Sequence, residues 1–278
     1  MRLVTFVVIG STEGPLPGVL DGDSIARLDC ADMIEWLACD GQVDVRETHA
    51  LSAVTILSPI VRPPSIRDFF AFEQHVATTR AKRGASVPEF WYREPVFYFT
   101  NPAAVIGPDD VVSYPRGTNK LDYELEVAAV IGSHQEIVGY TILNDWSARD
   151  IQREEISVGL GPAKGKDFAT SIGPCLVTVD EFDGTRGPMM ARVNGVERSR
   201  GELSDLHFTW EQIRERAALN TRLYPGDILG SGTVGSGCIL ESVDEQWLVP
   251  GDVVELEISG LGVLRNIIGP RPASSAER

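Results

Sequence analysis

The chain is expected to fold as an α+β protein that is mostly β, a mixed β-roll or barrel-like domain preceded by a small α+β unit. Three observations predict this. Short β-branched or aromatic runs bounded by Gly, Pro and Asp recur from Val96 onward. The 27 glycines and 17 prolines suit many short strands better than a doubly wound sheet. Helical periodicity is confined to a few segments. At 278 residues the chain can bury roughly 70–75% of its unfolded surface, so its core needs no staple.

The elements follow in chain order. Leu3–Ile9 reads as a buried strand, far shorter than the roughly 20 residues of a membrane span. The opening run Met1–Gly10 has one basic residue, Arg2, and no small-residue cleavage site, so no secretory signal is expected. Ala31–Ala38 reads as a helix and Ala53–Ser58 as a strand. The prolines of Arg62-Pro63-Pro64 break both helix and ladder and mark the boundary between a small unit, 1–60, and the main domain, 61–271. Ser65 to Arg83 reads as one helix, with Ser65 as N-cap, Asp68 three residues on, an apolar face of Ile66, Phe69, Phe70, Phe72 and Val76, and Gly84 as the stop. Strands are expected at Val96–Phe99, Tyr123–Ile131, Ile137–Leu143, Cys175–Val179, Ala191–Val193, Ile228–Ser231 and Val253–Ile258. Trp210–Ala218 is a further helix, and 272–278 a frayed polar tail.

Charge and cysteines narrow the function. Forty acidic against 25 basic residues leave −15, which excludes binding by phosphate neutralisation and disfavours anionic membranes. Cys30, Cys39, Cys175 and Cys238 form no CxxC pair and sit among apolar neighbours. Reduced core thiols in a cytoplasmic protein are the expectation, not a disulfide or zinc site.

Five segments carry chemistry. In Leu121–Ile131, period-two alternation puts Asp122, Glu124 and Glu126 on one strand face and Leu121, Tyr123, Leu125 and Val127 on the other. Either the three carboxylates face water or a cation compensates them. In Asn144–Gln152, Asp145 ends a strand, while Arg149 and Gln152 share a face of a following helix. The alternative there is a capped helix start, with Asn144, Asp145 or Ser147 as the cap. Asp68 and His75, seven residues apart, share a face of the expected helix; the alternatives are a capping box and a core histidine. The Gly-rich run 159–170 lacks the phosphate-loop order and is read as placing Lys166 in a site. The small-residue run Pro225–Gly237 lets backbone approach a ligand and offers the Thr233 hydroxyl, with Glu241 beyond a short strand Cys238–Leu240.

Taken together, DYELE, NDWSARDIQ, LGPAKGKDF, PGDILGSGT and the closing LVPGDVVELEISGLGVLRNIIG resemble the fumarylacetoacetate hydrolase family, from about Ser65 to Gly269. The resemblance implies a mixed β-roll, usually dimeric, holding one divalent cation. It implies Glu124, Glu126 and Asp145 as metal ligands, with Asp68 as a fourth. It implies His75 as the catalytic histidine, paired with Glu241, and Tyr98, Arg149, Gln152, Lys166 and Thr233 as contacts to the substrate, Lys166 with a catalytic part. One departure stands out: the family's namesake has a tyrosine where this chain has Phe70, which disfavours fumarylacetoacetate itself.

An all-carboxylate set selects a hard ion, Mg²⁺ before Mn²⁺ or Ca²⁺. The expected activity is metal-dependent hydrolysis of a C–C bond in a small diketo acid, an acylpyruvate or a relative of fumarylacetoacetate, by a retro-Claisen route, with aromatic-compound catabolism as the setting. A decarboxylase, hydratase or isomerase of a 2-oxo acid is the alternative within the family. A non-catalytic, cation-stabilised binding protein is the alternative of another class.

Overall fold

The computed structural model describes residues 1–273. From 274 on, the expected polar tail lies outside the described residues. The main sheet has 12 strands and is mixed, mostly antiparallel. Its spine runs Arg2–Val8, Thr170–Thr178, Ile137–Asn144, Leu125–Ile131, Ile228–Gly230, Ile66–Phe69 and Phe97–Thr100. Leu16–Asp21, Ser24–Leu28 and Val45–Ala50 extend it at the other end. The sheet therefore continues across the expected boundary, with Arg2 and Leu3 paired to Val177 and Leu176. A five-stranded sheet built on Pro188–Val193, Val253–Ile258 and Gly262–Ile268 shares the larger of two core clusters.

Leu125–Ile131 shows why the acidic run continues into apolar residues. Leu125, Val127, Ala129 and Ile131 enter one core cluster, and Ala128 and Val130 enter the other. The strand is buried on both faces, so it reads as an unbroken apolar run. Each buried Val, Leu or Ile contributes about 1.5–3 kcal/mol relative to exposure. That anchoring holds the adjoining Glu126 where its charge is disfavoured. Val253–Ile258 and the helix Trp210–Ala218 fall where the sequence puts them, the latter with a Thr209–Gln212 capping box.

Several expectations need correction. Ser65–Arg83 is not one helix. Ile66–Phe69 is a strand, parallel to Ile228–Gly230 and antiparallel to Phe97–Thr100, with all four residues buried. Ladders on both sides satisfy its backbone, and this outweighs the apolar periodicity. Ser65 is no cap; its hydroxyl donates to Asp227 at 2.6 Å. The helix is Glu73–Ala81, so Asp68 and His75 reach their neighbours from different elements. The acidic run is not one strand either: Leu121–Asp122 pairs with Ser147–Ala148 as a separate ladder, and the long strand starts at Leu125. Cys238–Leu240 is no strand, because a one-turn 3₁₀ segment occupies Ile239–Glu241. The helix Arg149–Ser157 starts without a side-chain cap. All four cysteines are free, and Cys39 is exposed rather than in the core. Leu16–Asp21, Ser24–Leu28, Val45–Ala50 and Val196–Glu202 are further strands, whose short runs alternate too weakly to be read from sequence.

Candidate metal centre and active site

Strand pairing assembles the acidic cluster. Parallel register sets Gly230 opposite Asp68, and antiparallel register sets Ala128 opposite Gly230, two residues beyond Glu126. One oxygen each from Asp68, Glu124 and Glu126 then lie within 4.8 Å of one another. The Lys166 ammonium ties Asp145 to this group, with Nζ 2.5 Å from both Glu124 Oε2 and Asp145 Oδ2. Glycine keeps the space open. A Cβ at Gly230 would come within 2.6 Å of Asp68 Oδ1 and 3.2 Å of Glu126 Oε2. At Gly232, where φ is +77°, a Cβ would strike Phe69 O at 2.3 Å, while its N–H donates to Glu126 Oε2 at 3.1 Å.

The surroundings fix Glu124, Glu126 and Asp145. Asn144 Oδ1 accepts the Glu124 backbone N–H at 2.9 Å. The Trp146 indole, fully buried, donates to Ser171 Oγ at 2.7 Å and pins the turn that presents Asp145. The Tyr98 hydroxyl donates to Asp145 Oδ2, and Thr233 Oγ1 to Glu126 Oε1 at 3.3 Å. Arg149 spends its guanidinium on the protein: Nη2 on Glu124 at 2.7 Å, Nε on Asp122 at 2.8 Å and Nη1 on Gln152 at 3.1 Å.

Charge is out of balance in this cluster. Burial, and then the Asp145 charge, push the Asp68 carboxyl well above its ordinary range. Burial, then Asp68 and Glu124, do the same to Glu126. Burial also raises Asp145, against the pull of Lys166. For Glu124, burial is outweighed by Arg149 and Lys166, so it stays ionised and low. Asp145 at least has the Lys166 ammonium, whereas Asp68 and Glu126 are left short of positive charge. The Oδ1 atoms of Asp68 and Asp145 are buried and meet no partner among the described residues. A hard divalent cation held by Asp68, Glu124, Glu126 and Asp145 fits this all-oxygen set.

Beside the cluster lies a cavity of about 230 Å³, lined by Asp68, Glu124 and Glu126 and by Phe70, His75, Phe97, Ile156, Pro162 and Leu240 among others. His75, in the first turn of its helix, is buried. Its Nδ1 lies 2.8 Å from Glu241 Oε2, and its Nε2 makes no hydrogen bond among the described residues. Phe70 meets the imidazole edge-on, with centroids 5.3 Å apart. Lys166, Tyr98, Gln152, Arg149 and Thr233 all line the same cavity.

Three residues that the sequence did not single out shape the site. Phe97 and Arg83 line the cavity, and Cys238 Sγ lies 3.5 Å from Glu241 Oε2. Phe97 lies in the strand expected at Val96–Phe99, where period-two alternation is the available signal.

Fold and site together define an enzyme-like β-roll with a buried carboxylate centre beside a histidine–glutamate pair. The family description "Fumarylacetoacetate (FAA) hydrolase C-terminal" matches residues 65–268, and the chain belongs to that family. It is 31% identical over 238 residues to the oxaloacetate tautomerase YisK of Bacillus subtilis, covering 80% of this chain and 75% of that protein. The fumarylacetoacetate hydrolase of psychrophilic Exiguobacterium antarcticum superposes with a TM-score of 0.80 at 25% identity, covering 98% of this chain and all of that one (100%). A 5-carboxymethyl-2-hydroxymuconate delta-isomerase from Mycobacterium smegmatis gives 0.77 at 26% identity, with coverages of 98% and 100%. The family's relatives and neighbours thus carry names of hydrolases, isomerases and a tautomerase. No helix among the described residues is long and apolar enough to cross a membrane.

Proposed function

We propose that the protein hydrolyses a C–C bond in a small 1,3-diketo acid of the acylpyruvate type. The observation that carries this reading is the buried contact of His75 Nδ1 with Glu241 Oε2, 2.8 Å long, behind the imidazole that lines the acidic cavity. Tautomerisation moves a proton and needs no activated water, whereas hydrolysis does. A cation held by Asp68, Glu124, Glu126 and Asp145 supplies Lewis acidity toward a 1,3-dicarbonyl and its enolate. Mg²⁺ is the proposed ion, and a cytoplasmic homodimer the proposed form.

The chain's own residues do the rest. Glu241 fixes the imidazole tautomer through Nδ1–H and stabilises the imidazolium that forms. His75 Nε2 takes a proton from water, and the water oxygen bonds to the acyl carbon. The C–C bond then breaks, its electron pair passing into the enolate of the departing keto acid. The proton returned by His75 completes that product, leaving a carboxylic acid and a 2-oxo acid. Lys166, whose charge Asp145 and Glu124 hold firmly despite burial, stabilises the oxyanion as it develops. The small cavity and the apolar Phe70 favour short acyl groups.

The alternative, a 2-oxo-acid tautomerase or decarboxylase, is favoured by the likeness to the Bacillus subtilis tautomerase. A screen decides between them: acylpyruvates and oxaloacetate, each with Mg²⁺, with products identified by mass. Cleavage of an acylpyruvate into two acids is the expected result. Turnover of oxaloacetate with every acylpyruvate left intact would replace the proposal with the alternative.

A further inference from the structure

Asp122 is the carboxylate of the acidic run that the cation cluster leaves over. It is fully buried. Its Oδ1 accepts the Ile239 N–H at 2.8 Å, and its Oδ2 accepts the Leu240 N–H at 3.0 Å and Arg149 Nε at 2.8 Å. Ile239 and Leu240 open the one-turn segment whose third residue is Glu241. A helical turn leaves its first N–H groups without partners, and a carboxylate is their favoured acceptor. Cys238, the residue at the cap position, accepts none of the turn's backbone N–H groups with its side chain. Asp122 fills that role from another element.

The far end of the turn is held as well. Lys82 Nζ donates to Leu240 O at 2.5 Å and to Ser242 O at 3.2 Å. Lys82 closes the helix that carries His75. That helix therefore grips the turn at two points, through His75 on Glu241 and through Lys82 on the carbonyls beside it.

We propose that Asp122 and Lys82 are positioning residues that clamp the Glu241 turn and so set the His75–Glu241 contact. The kinetic part of this proposal rests on the hydrolytic reading of the site; the structural part does not. Lys82 is the cleaner probe, because its side chain is 36% exposed and touches no group of the acidic cluster. Asp122 also orients Arg149 and through it Glu124, so its loss reaches both halves of the site.

The test combines kinetics with amide exchange. Displacing a catalytic group by an ångström costs on the order of 100-fold. Lys82→Met should lower kcat for acylpyruvate cleavage about 10-fold and Asp122→Asn about 100-fold on that scale. Lys82→Met should leave KM and Mn²⁺ affinity within about 3-fold, and Lys82→Arg should restore kcat. In a Glu241→Gln background Lys82→Met should cost under about 2-fold more, since residues acting as one unit are non-additive. A silent Lys82→Met, or the same loss in both backgrounds, overturns the proposal. Wild-type amide exchange decides the structural part even if no diketo acid is cleaved: Ile239 and Leu240 should exchange at least about 100-fold more slowly than Val243, and Lys82→Met should speed both about 10-fold. Ile239 and Leu240 amides that exchange as fast as Val243 in the wild type would refute the clamp outright.

Discussion

The acidic cluster and the histidine–glutamate pair are built in different ways, although they share one cavity. Asp68, Glu126 and Asp145 project from sheet strands or their ends, with hydrogen-bonded neighbours on both sides. Their positions follow from register, and register cannot slip without moving the core. His75 comes from the first turn of a nine-residue helix and Glu241 from a single 3₁₀ turn. Such short elements have little intrinsic stability. Their geometry depends on side-chain contacts from elsewhere, among them Asp122 and Lys82. On the proposed function the contrast is a division of labour: the sheet would supply what every enolising reaction needs, and the helix and turn what hydrolysis adds.

The largest test of that division removes a ligand from the sheet side. Glu124→Ala should abolish cleavage and tautomerisation together, by about 10³-fold or more, because Lewis-acid stabilisation is worth several kcal/mol. It should also erase the gain in melting temperature on adding Mn²⁺, since a cation bound only by the folded state stabilises it. Retention of either activity, measured with elemental analysis for residual metal, would dissolve the shared half of the comparison.

On the other side, Glu241→Gln should lower cleavage about 10²-fold, within the range of positioned acid–base catalysis. The double variant with His75→Ala should be barely worse than His75→Ala alone. Steady-state kinetics on four proteins read this directly; losses that multiply would mean that the two residues do not form one unit.

Phe70, just past the strand Ile66–Phe69, meets the His75 imidazole edge-on and bears on the proposed specificity. Fumarylacetoacetate should be a poorer substrate than simple acylpyruvates by kcat/KM. Phe70→Tyr should narrow the ratio by about 10-fold, the scale of one hydrogen bond to a substrate. A ratio that already favours fumarylacetoacetate would remove Phe70 as the determinant.

The smallest effect is thermal. Burial raises the Asp68 and Glu126 carboxyls in the metal-free protein above unfolded values of about 4. A raised carboxyl stabilises the fold below its unfolded pKa, and that contribution is lost as pH rises. Cation binding replaces the protons. The gap between metal-loaded and metal-free melting temperatures should therefore widen by a few degrees as pH rises from about 4 to 7. A constant gap in differential scanning calorimetry would contradict the charge imbalance.

The two regions also differed in how far they could be read from sequence. Glu124 and Glu126 are legible because two-residue alternation is local information, although only Glu126 lies within the long strand. Asp145 was legible as a strand end. Asp122 has the same spacing, yet the strand is interrupted at Tyr123–Glu124, and only tertiary pairing reveals its separate ladder. Asp68 was placed on a helix because Ile66, Phe69, Phe70 and Val76 mimic helical periodicity. The ladders that make it a strand come from segments about 30 and 160 residues away, which no local pattern carries. His75 and Glu241 were linked only through the family resemblance, since their contact spans 166 residues.

One measurement reaches the central claim, that the histidine–glutamate pair divides hydrolysis from enolisation within a single cation site. It compares acylpyruvate cleavage with oxaloacetate tautomerisation, both under saturating Mg²⁺, in the wild type and in His75→Ala. Cleavage should fall about 10³-fold, within the range of a positioned acid–base group, while tautomerisation and Mn²⁺ affinity stay within about 5-fold because neither needs activated water. An equal fall in both activities, or full cleavage without the imidazole, would contradict it.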